Sequence, residues 1–205
     1  FALSCNTAFV EMSEQIGADE LRKYAKAFGV GENYDLGVST SGGTLGDLPD
    51  GAATAQSAIG QRDVTMTALQ AAVMAGTVAN KGTRMQPYLV NRITDAQMKD
   101  VRTTKPKKAD QAVNEETAAT LTDLMYASER SSWGYDGNGF ASKTGTAEHG
   151  EGLAPHVWYV AFDPERDIAV GVVVKNGGNL GESATGGKVS GPIGRAILRA
   201  YQGEQ

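Results

Sequence analysis

The segment Ile168-Ala169-Val170-Gly171-Val172-Val173-Val174 is apolar almost without interruption and rich in β-branched residues. Such a run reads as a strand, over 167–175. A strand with no polar alternation needs cover on both faces, which places it at the centre of a sheet. Just before it, Asp163-Pro164-Glu165-Arg166 has the chemistry of a tight turn. Residues 156–163 read as the preceding strand, so the two form an antiparallel hairpin. Residues 139–147 add a third strand. A closing helix follows, with Pro192 near its start and Val189, Ile193, Ile197 and Ala200 expected inward.

Upstream the period changes to that of helices. Cys5, Phe9, Met12 and Ile16 recur at helical spacing and predict a helix over 4–16 with a buried stripe. Asp19 opens a second helix that sets Leu21, Tyr24, Ala25 and Phe28 on one face and stops at Gly29. Residues 30–56 are rich in Gly, Ser, Thr and Asp and read as one long loop. A helix of small residues covers 67–80 and ends at Gly82. The lysine-rich stretch 94–110 reads as solvated loop. Asn114 caps a further helix with Ala118, Leu121, Leu124 and Met125 inside. Helices, then a strand meander, then one helix is an α+β pattern.

Composition narrows the function classes. The 205 residues carry 19 basic and 24 acidic side chains, a net charge of −5. No basic stripe is visible, so nucleic acid is not an expected partner. The single cysteine, Cys5, cannot form an internal disulfide and reads as a small buried hydrophobe. No apolar run reaches membrane-spanning length. The opening Phe1-Ala2-Leu3-Ser4 runs straight into helical sequence and reads as the middle of a longer protein.

Two short strings carry chemistry. Lys143-Thr144-Gly145-Thr146 lies in a strand: a cation, two hydroxyls and a glycine whose bare backbone admits close approach. This set suits an extended peptide ending in a carboxylate. The bland alternative is a solvent-facing lysine. Ser4-Cys5-Asn6 lies at a helix start. There Ser4 is either an ordinary N-cap or a proton relay beside an amide that holds a carbonyl or an active-site lysine. Other strings are weaker. The Gly-rich tail with Lys188 lacks the Ser or Thr a phosphate-binding loop requires after its lysine. His149 and His156, with Glu148 and Glu151 nearby, fall short of a zinc site and read as polar loop residues.

Taken together, the strings resemble the motif set of penicillin-binding proteins and serine β-lactamases: Ser-x-x-Lys, Ser-x-Asn and Lys-Thr-Gly. The order of the two that are present is right. Ser4 to Phe9, Ile59-Gly60-Gln61, Thr67-Ala68-Leu69-Gln70 and Ala79-Asn80-Lys81-Gly82 look like the spaced blocks of class B transpeptidases. Residues 141–150, His156-Val157-Trp158-Tyr159 and Ser183-Ala184-Thr185-Gly186-Gly187 are similar to the penicillin-binding protein A group of actinobacteria.

The resemblance implies the transpeptidase fold, with 1–205 as the C-terminal part of one domain. Residues 1–138 would form its mainly helical part and 139–205 its strands and terminal helix. It also implies a serine D,D-transpeptidase that cross-links peptidoglycan stem peptides and is acylated by β-lactams. Such an enzyme needs no metal or organic cofactor, lies on the outer face of the cell membrane, and works with division or elongation proteins. By the same resemblance Ser4, Asn6 and Lys143 are catalytic and Thr144, Gly145 and Thr146 bind substrate. No serine here has lysine three positions on, so the nucleophile is expected upstream of Phe1, in a missing N-terminal part together with the first sheet strands. Those strands would lie beside the apolar run. A β-lactamase, a D,D-carboxypeptidase or a catalytically dead β-lactam sensor would share these motifs.

Overall fold

A computed structural model of the chain describes residues 1–201. Helix α1 (Asn6–Ala27) is interrupted at Gly17, whose φ of 75° and ψ of 172° break the helical ladder. The two helices expected from the sequence are therefore its two halves. Helix α2 (Gly51–Ala58) begins inside the stretch read as loop. The Asp50 carboxylate accepts the Ala53 backbone N–H at 2.8 Å and starts it, and its small residues gave no apolar stripe to read. Helix α3 (Ala68–Ala79) opens on a reciprocal cap between Thr67 and Gln70. Helix α4 (Glu115–Ser131) is capped as expected by Asn114, whose side chain accepts the Thr117 N–H at 2.8 Å.

The lysine-rich stretch is not a loop. Strand β1 (Thr83–Gln86) pairs antiparallel with β4 (Lys107–Gln111), and β2 (Arg92–Thr94) with β3 (Asp100–Thr103). Every residue of β3 and β4 is exposed, which is why no apolar alternation announced them.

The main sheet holds β5 (Ala141–Ala147), β6 (His156–Asp163) and β7 (Ile168–Val174), antiparallel in the order β5-β6-β7. The β6–β7 turn is tied by Asp163, whose carboxylate accepts the Glu165 N–H at 2.9 Å. Against one face, Ala75, Val78 and Met125 of α3 and α4 pack on Ala141 and Phe162. Against the other, Leu198 of helix α5 (Ser190–Ala200) packs with Tyr159, Ala161 and Val170. Two covered faces explain the apolar run of β7, and among the described residues its second edge is unpaired, the edge at which the further strands are expected.

Three expected apolar faces are corrected. On α1 only Ser13 is buried, while Cys5, Met12 and Ile16 are exposed, because α2 takes one side and no other described element covers the stripe. Tyr24 and Leu124 are likewise exposed. On α5, Ile193, Ile197 and Ala200 point outward, and Gly191, Gly194, Arg195 and Leu198 face the sheet. Glycine wins there because Tyr159 fills the space. A Cβ on Gly194 would lie 2.3 Å from the tyrosine ring.

Candidate active site

Ser4 sits in the turn that leads into α1. Its φ is +52°, a conformation that costs an L-residue about 1–2 kcal/mol. The turn is closed by the Ser4 N–H bonding Phe1 O at 3.0 Å. The helix cap is Cys5, and no side chain caps it, so Ser4 is not an N-cap. Its hydroxyl instead accepts a hydrogen bond from the Lys143 ammonium, 139 positions away on β5.

Lys143 also donates to the Thr144 carbonyl at 2.7 Å, and its ammonium lies 5.9 Å from the centre of the Phe1 ring. Burial disfavours its charged form and pulls its pKa below the ordinary lysine value. An ammonium held against a serine hydroxyl orients that hydroxyl and sets a positive potential beside it, the arrangement a proton relay needs.

Lys143, Thr144, Gly145 and Thr146 follow one another along β5, which pairs with β6 and, among the described residues, with no other strand. The Thr146 carbonyl lies 3.5 Å from the Gln61 side-chain amide, which ties the α2–α3 connection to the strand. Gly145 rests over Trp158, whose Cβ would be 3.3 Å from an added methyl. Behind it, a Cβ on Gly186 would come within 3.0 Å of the Gly145 nitrogen, so the β7–α5 connection lies directly against this backbone. Asn6 is exposed in the first turn of α1, close to Ser4 in the chain, and its side chain has no hydrogen-bond partner among the described residues. The fold thus joins Ser4 to Lys143 and strings the threonines along the same edge, while Asn6 is near only through the chain.

Sequence reading missed the group that holds β5 from behind. Glu129 of α4 is buried and accepts from Arg195 Nε at 2.6 Å, Asn138 at 2.9 Å and Tyr159 at 3.0 Å. It also accepts from Ser142, the neighbour of Lys143. Burial pushes the Glu129 pKa up, but the hydrogen bonds from Arg195, Ser142 and Asn138 outweigh it and leave the carboxyl below its usual value. The Tyr159 phenol is pushed well above its ordinary value by burial and by the Glu129 charge. One signal was available: Glu129 extends the buried stripe of Ala118 and Met125 by one helical turn.

The two histidines meet at the far end of β5. Their rings lie 4.0 Å apart, His149 Nε2 is 2.9 Å from the Ala154 carbonyl, and the Asn176 N–H donates to His156 Nδ1 at 3.1 Å. The first of these bonds lies within the β5–β6 connection, and the second ties the segment after β7 to the start of β6.

A profile of the penicillin binding protein transpeptidase domain matches residues 1–199. A peptidoglycan D,D-transpeptidase, PbpA, of Mycolicibacterium smegmatis is 45% identical over 209 residues, covering 98% of this chain and 42% of that protein. Its Mycobacterium tuberculosis counterpart is 43% identical, covering 100% of this chain and 43% of that protein. The ceftriaxone acyl-enzyme structure of M. tuberculosis penicillin-binding protein A superposes with a TM-score of 0.92 at 41% identity, over 98% of this chain and 47% of that one. The chain therefore spans less than half the length of the curated relatives it matches.

Proposed function

The chain belongs to the penicillin-binding protein transpeptidase domain family, and on that premise we propose that the intact protein is a serine D,D-transpeptidase of peptidoglycan. A serine outside these 205 residues attacks the carbonyl of a D-alanyl-D-alanine-like stem peptide. The peptide bond breaks, D-alanine leaves with a proton, and a second stem-peptide amine displaces the serine from the acyl-enzyme. β-Lactams acylate the same serine. The relatives' acyl-enzyme structures support this reading.

Each local residue takes a role in that reaction. Ser4 passes the proton to the leaving amine, and Lys143 orients Ser4 and supplies positive potential. Asn6 helps hold the substrate. Thr144 and Thr146 bind its terminal carboxylate along the open edge at Gly145, and the Thr146 N–H forms half of an oxyanion hole. The carrying observation is the Lys143–Ser4 hydrogen bond across 139 positions. No described helix is long and apolar enough to cross a membrane. The outer face of the cell membrane is the proposed site of action, since the substrate is cell-wall peptide.

Labelling the intact protein with a fluorescent penicillin tests the reading. We expect one label per molecule, lost slowly. Rapid loss assigns a hydrolase, and no label assigns a dead module.

A further inference from the structure

The chain is acidic overall, but its charge is unevenly placed. Residues 86–108 carry six basic side chains against Asp95 and Asp100, a surplus of four in a chain whose net charge is −5. Three of these six cations, Arg102, Lys105 and Lys107, fall within six residues of the sequence, separated only by Thr103, Thr104 and Pro106. Arg102 on β3, Lys105 in the connection and Lys107 on β4 line one groove of about 560 Å³. Among the described residues none of the three has a carboxylate within ion-pair distance. Asp35 is the one acidic residue of the lining.

The same groove has an apolar wall. Tyr88, Leu89 and Val90 line it and are 40%, 65% and 47% exposed. Val101 and Met98 of the β2–β3 hairpin, which also carries Arg102, are exposed at 67% and 70%. That hairpin makes no substantial contact with any other described element. A two-stranded hairpin is at best marginally stable by itself, and contiguous exposed apolar surface of this kind marks interaction sites. Both small sheets have only two strands, so each strand keeps an open edge among the described residues.

We propose that this groove docks an extended, acidic segment of a partner protein. Carboxylates of the segment meet Arg102, Lys105 and Lys107, its apolar side chains cover Tyr88, Leu89 and Val90, and its backbone adds to an open strand edge. The surplus of unpaired cations selects the sign of the partner, and the concave apolar wall selects a peptide. A flat anionic bilayer would meet the lysines but not the lining between the two sheets. No residue of the groove belongs to the Ser4–Lys143 site, so the proposal does not depend on the reaction assigned to that site.

Fluorescence anisotropy on the intact protein tests it, with a labelled eight-residue peptide of alternating glutamate and leucine as the probe. We expect saturable binding that weakens as salt rises. Arg102→Glu/Lys105→Glu/Lys107→Glu lowers the affinity at least tenfold, and Leu89→Ser also lowers it, with Tm and penicillin labelling unchanged in both. Amides of the small sheets gain protection from hydrogen exchange when the peptide binds. The proposal is overturned by no saturable binding, by equal binding to the charge-reversed protein, or by equal binding of a lysine–leucine peptide. Binding to phosphatidylglycerol vesicles in place of the peptide, lost in the same variant, would assign the patch to a membrane and also overturn it.

Discussion

Lys143 is where the sequence string and the geometry meet, and its environment has a thermodynamic signature. Burial lowers its folded pKa, so between that value and the ordinary 10.5 the unfolded chain binds more protons than the folded one. Stability contributed through this group therefore rises with pH across that window, and the cost of the buried charge is complete below it. Lys143→Met removes the charge. Measured as Tm against pH, the difference between variant and wild type should favour the variant most at neutral pH. It should shrink as pH rises through the folded value toward 10.5. A difference that is flat or grows with pH would contradict the buried-cation picture. At this scale the motif was legible because it is a contiguous string, Lys143 to Thr146. The backbone of Ser4 was not. Nothing in Phe1-Ala2-Leu3-Ser4 announces a serine at positive φ, since this conformation is imposed by the turn and by the partner on β5.

Strand β5 is the element that carries the substrate edge, and it is held through Ser142. Ser142 and Tyr159 both donate to the same oxygen of Glu129, and losing either bond to this buried carboxylate costs about 2 kcal/mol of stability. Only Ser142 adjoins Lys143. Ser142→Ala and Tyr159→Phe should therefore lower Tm by similar amounts. Ser142→Ala alone should slow penicillin acylation of the intact protein, by about tenfold, through loss of alignment. The affinity of the non-covalent complex should stay the same. Equal slowing in both variants would make the Glu129 cluster a matter of stability only. This cluster was hidden in the sequence because its members lie on α4, β5, β6 and α5, and buried Glu and Arg read as surface residues until their partners are known. Helix α5 was misread for a related reason. Its inward face is Gly191 and Gly194 against an aromatic ring, and an apolar stripe is a poor guide where packing asks for no side chain.

At the scale of the whole molecule, the α+β order, the hairpin at Asp163 and the two-faced cover of β7 all followed from period and turn chemistry. The unpaired second edge of β7 did not follow from the run itself, which reports cover on its faces and not the number of its neighbours, but from the expectation that further strands lie beside it. The meeting of α1 with β5 was also invisible to spacing, since nothing local draws residues 4 and 143 together. It came only from the resemblance, and the fold brings the two side chains into contact. That contact is also what the functional account rests on, since it makes Ser4 and Lys143 one unit. A double-mutant cycle on the rate of penicillin acylation of the intact protein measures it directly, using Ser4→Ala, Lys143→Met and the pair. We predict that each single change slows acylation by about 10²-fold or more. The pair should be no slower than the slower single variant, as for residues that act together. Two losses that simply multiply would show that the serine and the lysine work independently, and would contradict the account.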